Sequence, residues 1–455
     1  LSESQERMLV VAKQGREDAV RAILEKWDLT AAVIGEVIAE PVYRVTEGDR
    51  VVAEFPGTRL VTDCPQYTPE ARESEAIRAQ RERDVASIPE RTEERDPVWT
   101  LERLLSSPTV ASKRWVYRQY DHTVRTNTVL GPGGDAAVVR VRGTRKALAL
   151  KVDCNGRYCH LDPREGARAA VAEAARNVAC VGGRPMAITN NLNFGNPKRP
   201  DVYYQLREAI AGMGEACSAL GTPVTGGNVS LYNENPSGAV YPTPVIGMVG
   251  LVDDVAHVTP AAFSQDGDAI VLLGEPTDEL GGSEYLARIH DVVAGRPPRV
   301  NLAHEQALVA TLLECAREGL TRSAHDTSEG GLAVALAECV MMDRERMTGA
   351  EVDLGAWTTL PLRALLFGEA QGRVILSTAQ ADAVLAVAAR QGVPARVIGR
   401  VRSDTGLLEL AVGPRRIVAP VGRLAHAYHD AIRSIMAQPA SAAATTSAGL
   451  ESPVS

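Results

Sequence analysis

Aromatic side chains are scarce in this chain of 455 residues: they make up 4 %, and only four are Phe. Its cores therefore have to be built from Ala, Val, Leu and Ile. No run of 18 apolar residues occurs, so no candidate membrane-spanning helix is visible. The seven cysteines are scattered and form no Cys-x-x-Cys pair. That argues against a disulfide framework or a zinc knuckle, and a reduced, cytoplasmic protein is the simplest reading. Lys/Arg-rich patches with interleaved aromatics are missing, and the net charge of −8 does not suit a nucleic-acid surface. A Walker loop, a His-x-x-x-His pair and a Gly-x-Ser-x-Gly elbow are also absent. Neither a signal peptide nor an initiator Met is visible at the start.

What the chain does have is a part of itself twice. It opens Leu1-Ser2-Glu3-Ser4-Gln5-Glu6-Arg7-Met8-Leu9-Val10, and Phe367-Gly368-Glu369-Ala370-Gln371-Gly372-Arg373-Val374-Ile375-Leu376 stands late in it. Ala32-Val33-Ile34-Gly35-Glu36-Val37 follows the first, and Arg396-Val397-Ile398-Gly399-Arg400-Val401 follows the second. Gln5 to Gly35 is 30 positions and Gln371 to Gly399 is 28. Shared order at near-equal spacing indicates an internal repeat. The second copy closes a unit that begins roughly a hundred residues earlier, on the scale of one domain. The first has nothing before it, so the chain is expected to open inside a domain.

Periodicity sketches the rest. Residues 1–67 read as strand, helix (16–27), strand, strand, and 68–112 as a charged, exposed connector, part helix. From 113 to 258 a second unit is expected: a Gly/Pro turn over 127–135, strands at 136–141, 147–152, 185–189 and 245–252, and helices over 164–180 and 202–220, the latter stopped by Gly221. A third unit, 259–436, carries strands at 268–273 and 321–326 and helices over 301–318 and 330–341. An Ala/Ser/Thr/Pro-rich tail over 437–455 is expected to be disordered. Strands exceed a strict βαβ alternation, so the fold class is α+β with mixed sheets.

Several motifs combine glycine with polar groups. In Thr225-Gly226-Gly227-Asn228-Val229-Ser230, read as a Gly-rich loop, the glycines admit backbone N–H groups close to a phosphate. Asn228 offers an oxygen to Mg²⁺ or a donor to phosphate, and Ser230 adds a hydroxyl. Gly131-Pro132-Gly133-Gly134-Asp135 places an Asp that either holds a metal between phosphates or caps a turn. Asp153-Cys154-Asn155-Gly156-Arg157-Tyr158 follows a strand, as ligand loops and tight turns both do. Asn190, Asn191 and Asn193 crowd another strand end, where ligand contact or Asx turns are the options. Glu3, Ser4 and Gln5 offer a carboxylate, a hydroxyl and an amide at the start of an apolar strand. Gly281-Gly282-Ser283-Glu284-Tyr285 is a further polar Gly turn. In His325-Asp326-Thr327-Ser328-Glu329-Gly330-Gly331, Asp326 or Ser328 either caps the following helix or helps its N-terminus bind an anion, and His325 is a general base or a structural residue.

These motifs, with Val171-Ala172-Glu173-Ala174-Ala175-Arg176-Asn177, Leu192-Asn193-Phe194-Gly195-Asn196-Pro197 and Leu231-Tyr232-Asn233, run in one order along nearly the whole chain. In that order the chain resembles the synthetase subunit of phosphoribosylformylglycinamidine synthase, in its small bacterial-type form. That family is part of the ATP-binding superfamily of aminoimidazole ribonucleotide synthetase. The resemblance implies tandem N-type and C-type domains, of which this chain would hold the end of a first C-type domain and then a second pair. It implies an ATP-dependent ligase of purine biosynthesis that converts formylglycinamide ribonucleotide and ammonia to formylglycinamidine ribonucleotide, ADP and phosphate. A glutaminase subunit and a small accessory subunit are the implied partners, and ATP and Mg²⁺ the implied cofactors.

The resemblance also assigns Glu3, Ser4, Gln5 and Ser230 to substrate, Asn190 and Gly227 to ATP, and Asn228 to Mg²⁺. At Asn190 the family more usually has Asp. Its general-base His and acidic Mg²⁺ ligands come from a first N-type domain, so no catalytic residue is expected in this chain, and the isolated chain is expected to be inactive. The matching places here, from Asp153 to Arg157 and Asn177, resemble a non-catalytic nucleotide pocket. A nucleotide-binding half without turnover, or another ATP-dependent enzyme of the superfamily, is the alternative reading.

Overall fold

A computed structural model describes residues 7–437. Glu3, Ser4, Gln5 and residues 438–455 of the expected tail lie outside the described residues. The chain divides into two units, Leu1–Thr68 and Pro69–Ser455.

Among its described residues the first unit holds one α-helix, α1 (Glu17–Glu25), a hairpin of β1 (Val42–Glu47) and β2 (Arg50–Pro56), and a 3-10 turn at Gly57–Leu60. Glu17 and Asp18 occupy the helix's first turn, where its dipole favours acids. The hairpin turns through Gly48, whose φ is +59°. The strands expected near Leu9 and Ile34 do not form: residues 7–13 and 29–38 carry no secondary structure. Leu9 is 77 % exposed and Ile34 81 %. An apolar, β-prone segment becomes a strand only when another strand completes its hydrogen bonds.

The second unit opens with α2 (Glu75–Arg81), α3 (Pro97–Leu105) and α4 (Arg114–Tyr117). Part of the expected exposed connector is therefore core. Asp96 caps α3 by accepting from the Val98 N–H, Pro97 starts it, and Leu101, Leu104 and Leu105 are buried. Its isolated apolar residues recur at helical spacing, which the surrounding charge obscures.

An N-terminal lobe follows, made of β3 (Thr128–Leu130), β4 (Ala137–Arg140), β5 (Ala147–Asp153), α5 (Gly156–Leu161), α6 (Pro163–Cys180), β6 (Arg184–Asn193), α7 (Pro200–Leu220), β7 (Val224–Ser230), the short pair β8 (Glu234–Asn235) and β9 (Gly238–Ala239), and β10 (Thr243–Val252). The sheet order is β3-β4-β5-β10-β6-β7, antiparallel except for β6 with β7. Two expectations change here. The Gly/Pro turn over 127–135 contains β3, and the Gly-rich loop over 223–230 is β7, an edge strand. α6 is Ala-rich and buried almost all round, and α7 ends on Gly221 in the left-handed conformation as expected.

The C-terminal lobe comprises β11 (Ala269–Leu273), α8 (Glu284–His290), α9 (Leu302–Arg317), β12 (Ser323–Asp326), α10 (Gly331–Met341), β13 (Gly349–Asp353), α11 (Leu362–Phe367), β14 (Val374–Thr378), α12 (Ala381–Gln391), β15 (Ala395–Arg402), β16 (Leu407–Val412), β17 (Arg415–Pro420) and α13 (Val421–Met436). Its seven strands run β12-β14-β11-β15-β13-β16-β17, with only β13 and β16 parallel. Alternation along β11 feeds two cores. Ile270 and Leu272 join the cluster holding α3, α10, α11 and α13, while Val271 and Leu273 pack with Leu308 and Leu312 of α9 and Val384 and Val387 of α12. Both lobes are α+β with mixed sheets. No helix among the described residues is long and apolar enough to cross a membrane.

Candidate functional site

The parallel pairing of β6 with β7 sets the site. Its register places Asn190 opposite Gly227, Asn191 opposite Asn228, and Asn193 opposite Ser230. Four residues distant in sequence and assigned by resemblance thus lie on two adjacent strands. They do not share a face. Asn190 shares a face of β6 with buried Ile188 and Leu192, and its Nδ2 lies 3.4 Å from Sδ of Met213 on α7. Gly227 has a steric reason: a Cβ there would stand 2.0 Å from Oδ1 of Asn190. One step along, Asn191 and Asn228 are exposed on the opposite, open face, where Nδ2 of Asn228 donates to Oδ1 of Asn191 at 3.2 Å.

At the end of β7 the Ser230 hydroxyl donates to Oδ1 of Asn233 at 3.1 Å. Nδ2 of Asn233 in turn donates to the carbonyls of Phe194 and Ser230 at 3.1 and 2.8 Å, stapling the two strand ends. Asn193 is spent likewise on the carbonyls of Asn191 and Thr243. The run of asparagines is therefore partly structural and partly open, with Asn228 and Ser230 presenting oxygens.

The other candidate motifs converge elsewhere, between the N-terminal and C-terminal lobes of the second unit. Asp135 is 3 % exposed; it accepts from the Asp326 N–H at 2.8 Å and lies 2.8 Å from Nδ1 of His325. Nε2 of His325 faces Glu338 at 3.1 Å. Burial opposes charge on this imidazole, but Asp135 and Glu338 outweigh it and hold the His325 pKa well above its ordinary value. His325 is structural, since both ring nitrogens are engaged.

Asp326 does not cap α10, whose N-cap is Gly330; it binds the fully buried Arg176 at 2.8 Å and the amide of Asn177 at 3.1 Å. Arg176 also reaches Glu305 at 2.7 Å and Gln371 at 3.0 Å. Asn155 is the N-cap of α5, accepting from the N–H groups of Arg157 and Tyr158. Arg157 pairs with Glu284 at 2.8 Å and donates to the carbonyl of Gly282 at 3.0 Å. Glu369 accepts from the N–H groups of Glu284 and Gly330 and from the Tyr158 hydroxyl. Burial pushes its carboxyl up to about 7 against the pull of Arg157. Burial, with Asp153, Glu329 and Asp326 nearby, likewise drives Glu173 well above the carboxylate range.

This is a clasp. The groups expected to form a second, non-catalytic nucleotide pocket, Asp153 to Arg157 and Asn177, supply the cap of α5 and bonds across the lobes. Sequence reasoning missed the hub, Arg176. Its one legible signal was an arginine that directly follows two alanines in an Ala-rich helix.

For Mg²⁺, Asn228, Asn191 and Ser230 are hard oxygen donors of a suitable kind. No group of three or more His, Cys, Asp or Glu placed to hold a metal occurs among the described residues. The residues thus fit as neutral ligands completing the shell of an ion that arrives with phosphates, and not as a cage of their own.

Residues 133–252 match the N-terminal domain of AIR synthase related proteins, and the C-terminal domain of the same group matches over residues 1–48 and again over 265–408. Fold and family match together define a protein of the AIR synthase related class, with a C-terminal-type segment matched twice. Among curated relatives, the phosphoribosylformylglycinamidine synthase subunit PurL of Moorella thermoacetica is 52 % identical over 402 residues, covering 88 % of this chain and 54 % of the relative. That of an Anaeromyxobacter species is 46 % identical over 449 residues, covering 96 % and 57 %. The chain belongs to this PurL family, and spans about half the length of the curated relatives it matches. The structure titled "T. maritima PurL complexed with FGAR" superposes with a TM-score of 0.60 at 20 % identity, covering 75 % of this chain and 54 % of that one. A structure of PurLQS from Thermotoga maritima gives 0.53 at 21 % identity, covering 65 % and 47 %. Both show likeness of fold.

Proposed function

We propose that this chain serves the ATP-dependent conversion of formylglycinamide ribonucleotide and ammonia to formylglycinamidine ribonucleotide, ADP and phosphate. The observation that carries this reading is the β6–β7 register, which gathers Asn190, Gly227, Asn228 and Ser230 in a chain of the PurL family. In the reaction the carbonyl oxygen on the glycinamide carbon, the one that nitrogen replaces in the product, attacks the γ-phosphorus of ATP and ADP leaves. Ammonia then adds at that carbon, and the C–O bond breaks to release phosphate. Such transfer rests on positioning and charge more than on covalent groups, so amides, hydroxyls and backbone N–H groups suffice for this part of the site.

We assign Asn190 and the backbone of Gly227 to the nucleotide, Asn228 to the Mg²⁺ carried with it, and Ser230 to the substrate. Glu3, Ser4 and Gln5 are the remaining substrate contacts. Bound Mg²⁺ would neutralise charge on the phosphates. We place the general base outside this chain; among the described residues His325 is engaged by Asp135 and Glu338, and the acids of the clasp face Arg176, Arg157 and backbone N–H groups. Ammonia is supplied by a glutaminase subunit together with a small accessory subunit, a reading supported by the PurLQS neighbour. The assembly works in the cytoplasm.

Calorimetric titration of the chain with ADP and Mg²⁺ tests the nucleotide part. A parallel assay follows ADP release with formylglycinamide ribonucleotide and ammonium chloride. Binding without turnover is the expected result. Turnover by the isolated chain would overturn the placement of the general base, and no binding would favour a purely structural half.

A further inference from the structure

Asn191, which the resemblance leaves without a role, lies directly beside the residue assigned to the cation. The parallel register sets Asn191 opposite Asn228, and both are exposed on the open face of the sheet. A side-chain amide has one acceptor oxygen and one donor nitrogen. Nδ2 of Asn228 is committed to Oδ1 of Asn191 at 3.2 Å, which turns Oδ1 of Asn228 away from its neighbour. An exposed amide without that partner would sample both orientations, and half of them would offer a cation the wrong atom. A comparable contact holds Ser230 just beyond the end of β7, where Oδ1 of Asn233 accepts the hydroxyl proton of Ser230. Asn233 is also tied to two backbone carbonyls, so its loss would disturb the strand ends; Asn191 bears no such structural duty through its Oδ1.

We propose that Asn191 is a positioning residue: by accepting from Nδ2 of Asn228 it fixes the oxygen of that amide toward a divalent cation bound with the nucleotide. The inference rests on the reading of Asn228 given above. Partners that orient a metal ligand typically change affinity by about tenfold or more.

The test uses the purified chain with ADP and Mn²⁺, reading metal affinity by electron paramagnetic resonance and ADP affinity without metal by calorimetry. Asn191→Leu is expected to weaken Mn²⁺ binding about tenfold, leaving metal-free ADP affinity and the unfolding midpoint unchanged. Asn191→Asp, which keeps an acceptor opposite Nδ2, is expected to retain or exceed the original Mn²⁺ affinity. In an Asn228→Ala background, Asn191→Leu should have no further effect, because it acts through the lost amide. Full additivity of the two substitutions, or an equal loss with Asn191→Asp, would overturn the proposal. If the unaltered chain binds ADP with no metal dependence, the reading of Asn228 itself fails and this inference falls with it. That failure is visible before any variant is made.

Discussion

The chain carries the same order of strand, helix, strand and hairpin twice, and the two copies fold to different extents. In the second copy, β14 lies between β11 and β12, and β15 between β11 and β13. Val374, Ile375 and Leu376 are fully buried there. In the opening copy the helix and the hairpin form, but the two strands do not, and no residue of α1 is buried. Each hairpin turns through a left-handed glycine, Gly48 at φ +59° and Gly413 at φ +57°. The elements that survive alone close their own hydrogen bonds; those that fail are the ones that border β11 in the second copy. A strand is a property of a pair, whereas a helix or a hairpin is local.

Six substitutions, in four tests, would sharpen or break that contrast. The largest effect is expected at the clasp that holds the second copy in place. Arg176→Met leaves Asp326 and Glu305 buried without their cation, and should cost about 3–5 kcal/mol in urea unfolding of the second unit. Next comes the strand itself: Ile375→Ala should cost about 2–5 kcal/mol, while Ile34→Ala in the opening copy should stay within about 0.5 kcal/mol. Equal costs at the two positions would mean that the opening strands are paired in solution.

The third prediction concerns pH. The folded carboxyl of Glu369 titrates at about 7 against an ordinary 4.5. The native state therefore binds this proton more tightly, so the stabilisation is fully present below about 4.5 and is lost as pH rises toward 7. Glu369→Gln should flatten the stability profile across that window. Asp153 and Glu173, also raised, keep part of the slope. An unchanged profile would remove Glu369 from the clasp's titration. The smallest effect is expected at the hairpins. Gly413→Ala should cost about 1 kcal/mol for its left-handed backbone. Gly48→Ala should leave the unfolding midpoint of the second unit unchanged, measured by near-ultraviolet circular dichroism.

Motif chemistry was legible only to the level of residue type. Gly-Gly-Asn-x-Ser and the asparagine run were both visible as polar clusters, but the sequence could not say that they are neighbours in register. Nor could it say that Gly227 makes room for Asn190. The motifs around Asp135, Asn155 and His325 looked like ligand loops because caps, clasps and ligand sites all use Gly, Asp and Asn. Only their burial against one another separates the roles. α3 was hidden by the charges around it, and β7 by its glycines.

By itself the sequence determined the α+β class, the repeat, the helices with clear stops such as Gly221, and the PurL likeness. These rest on local periodicity and on residue order, which need no partner. The tertiary structure alone decided which apolar segments became strands, which asparagines remain open on β6 and β7, and that Arg176 ties the lobes of the second unit together. Those outcomes depend on what lies across a sheet or on the facing lobe, and no local pattern encodes the identity of a neighbour hundreds of residues away.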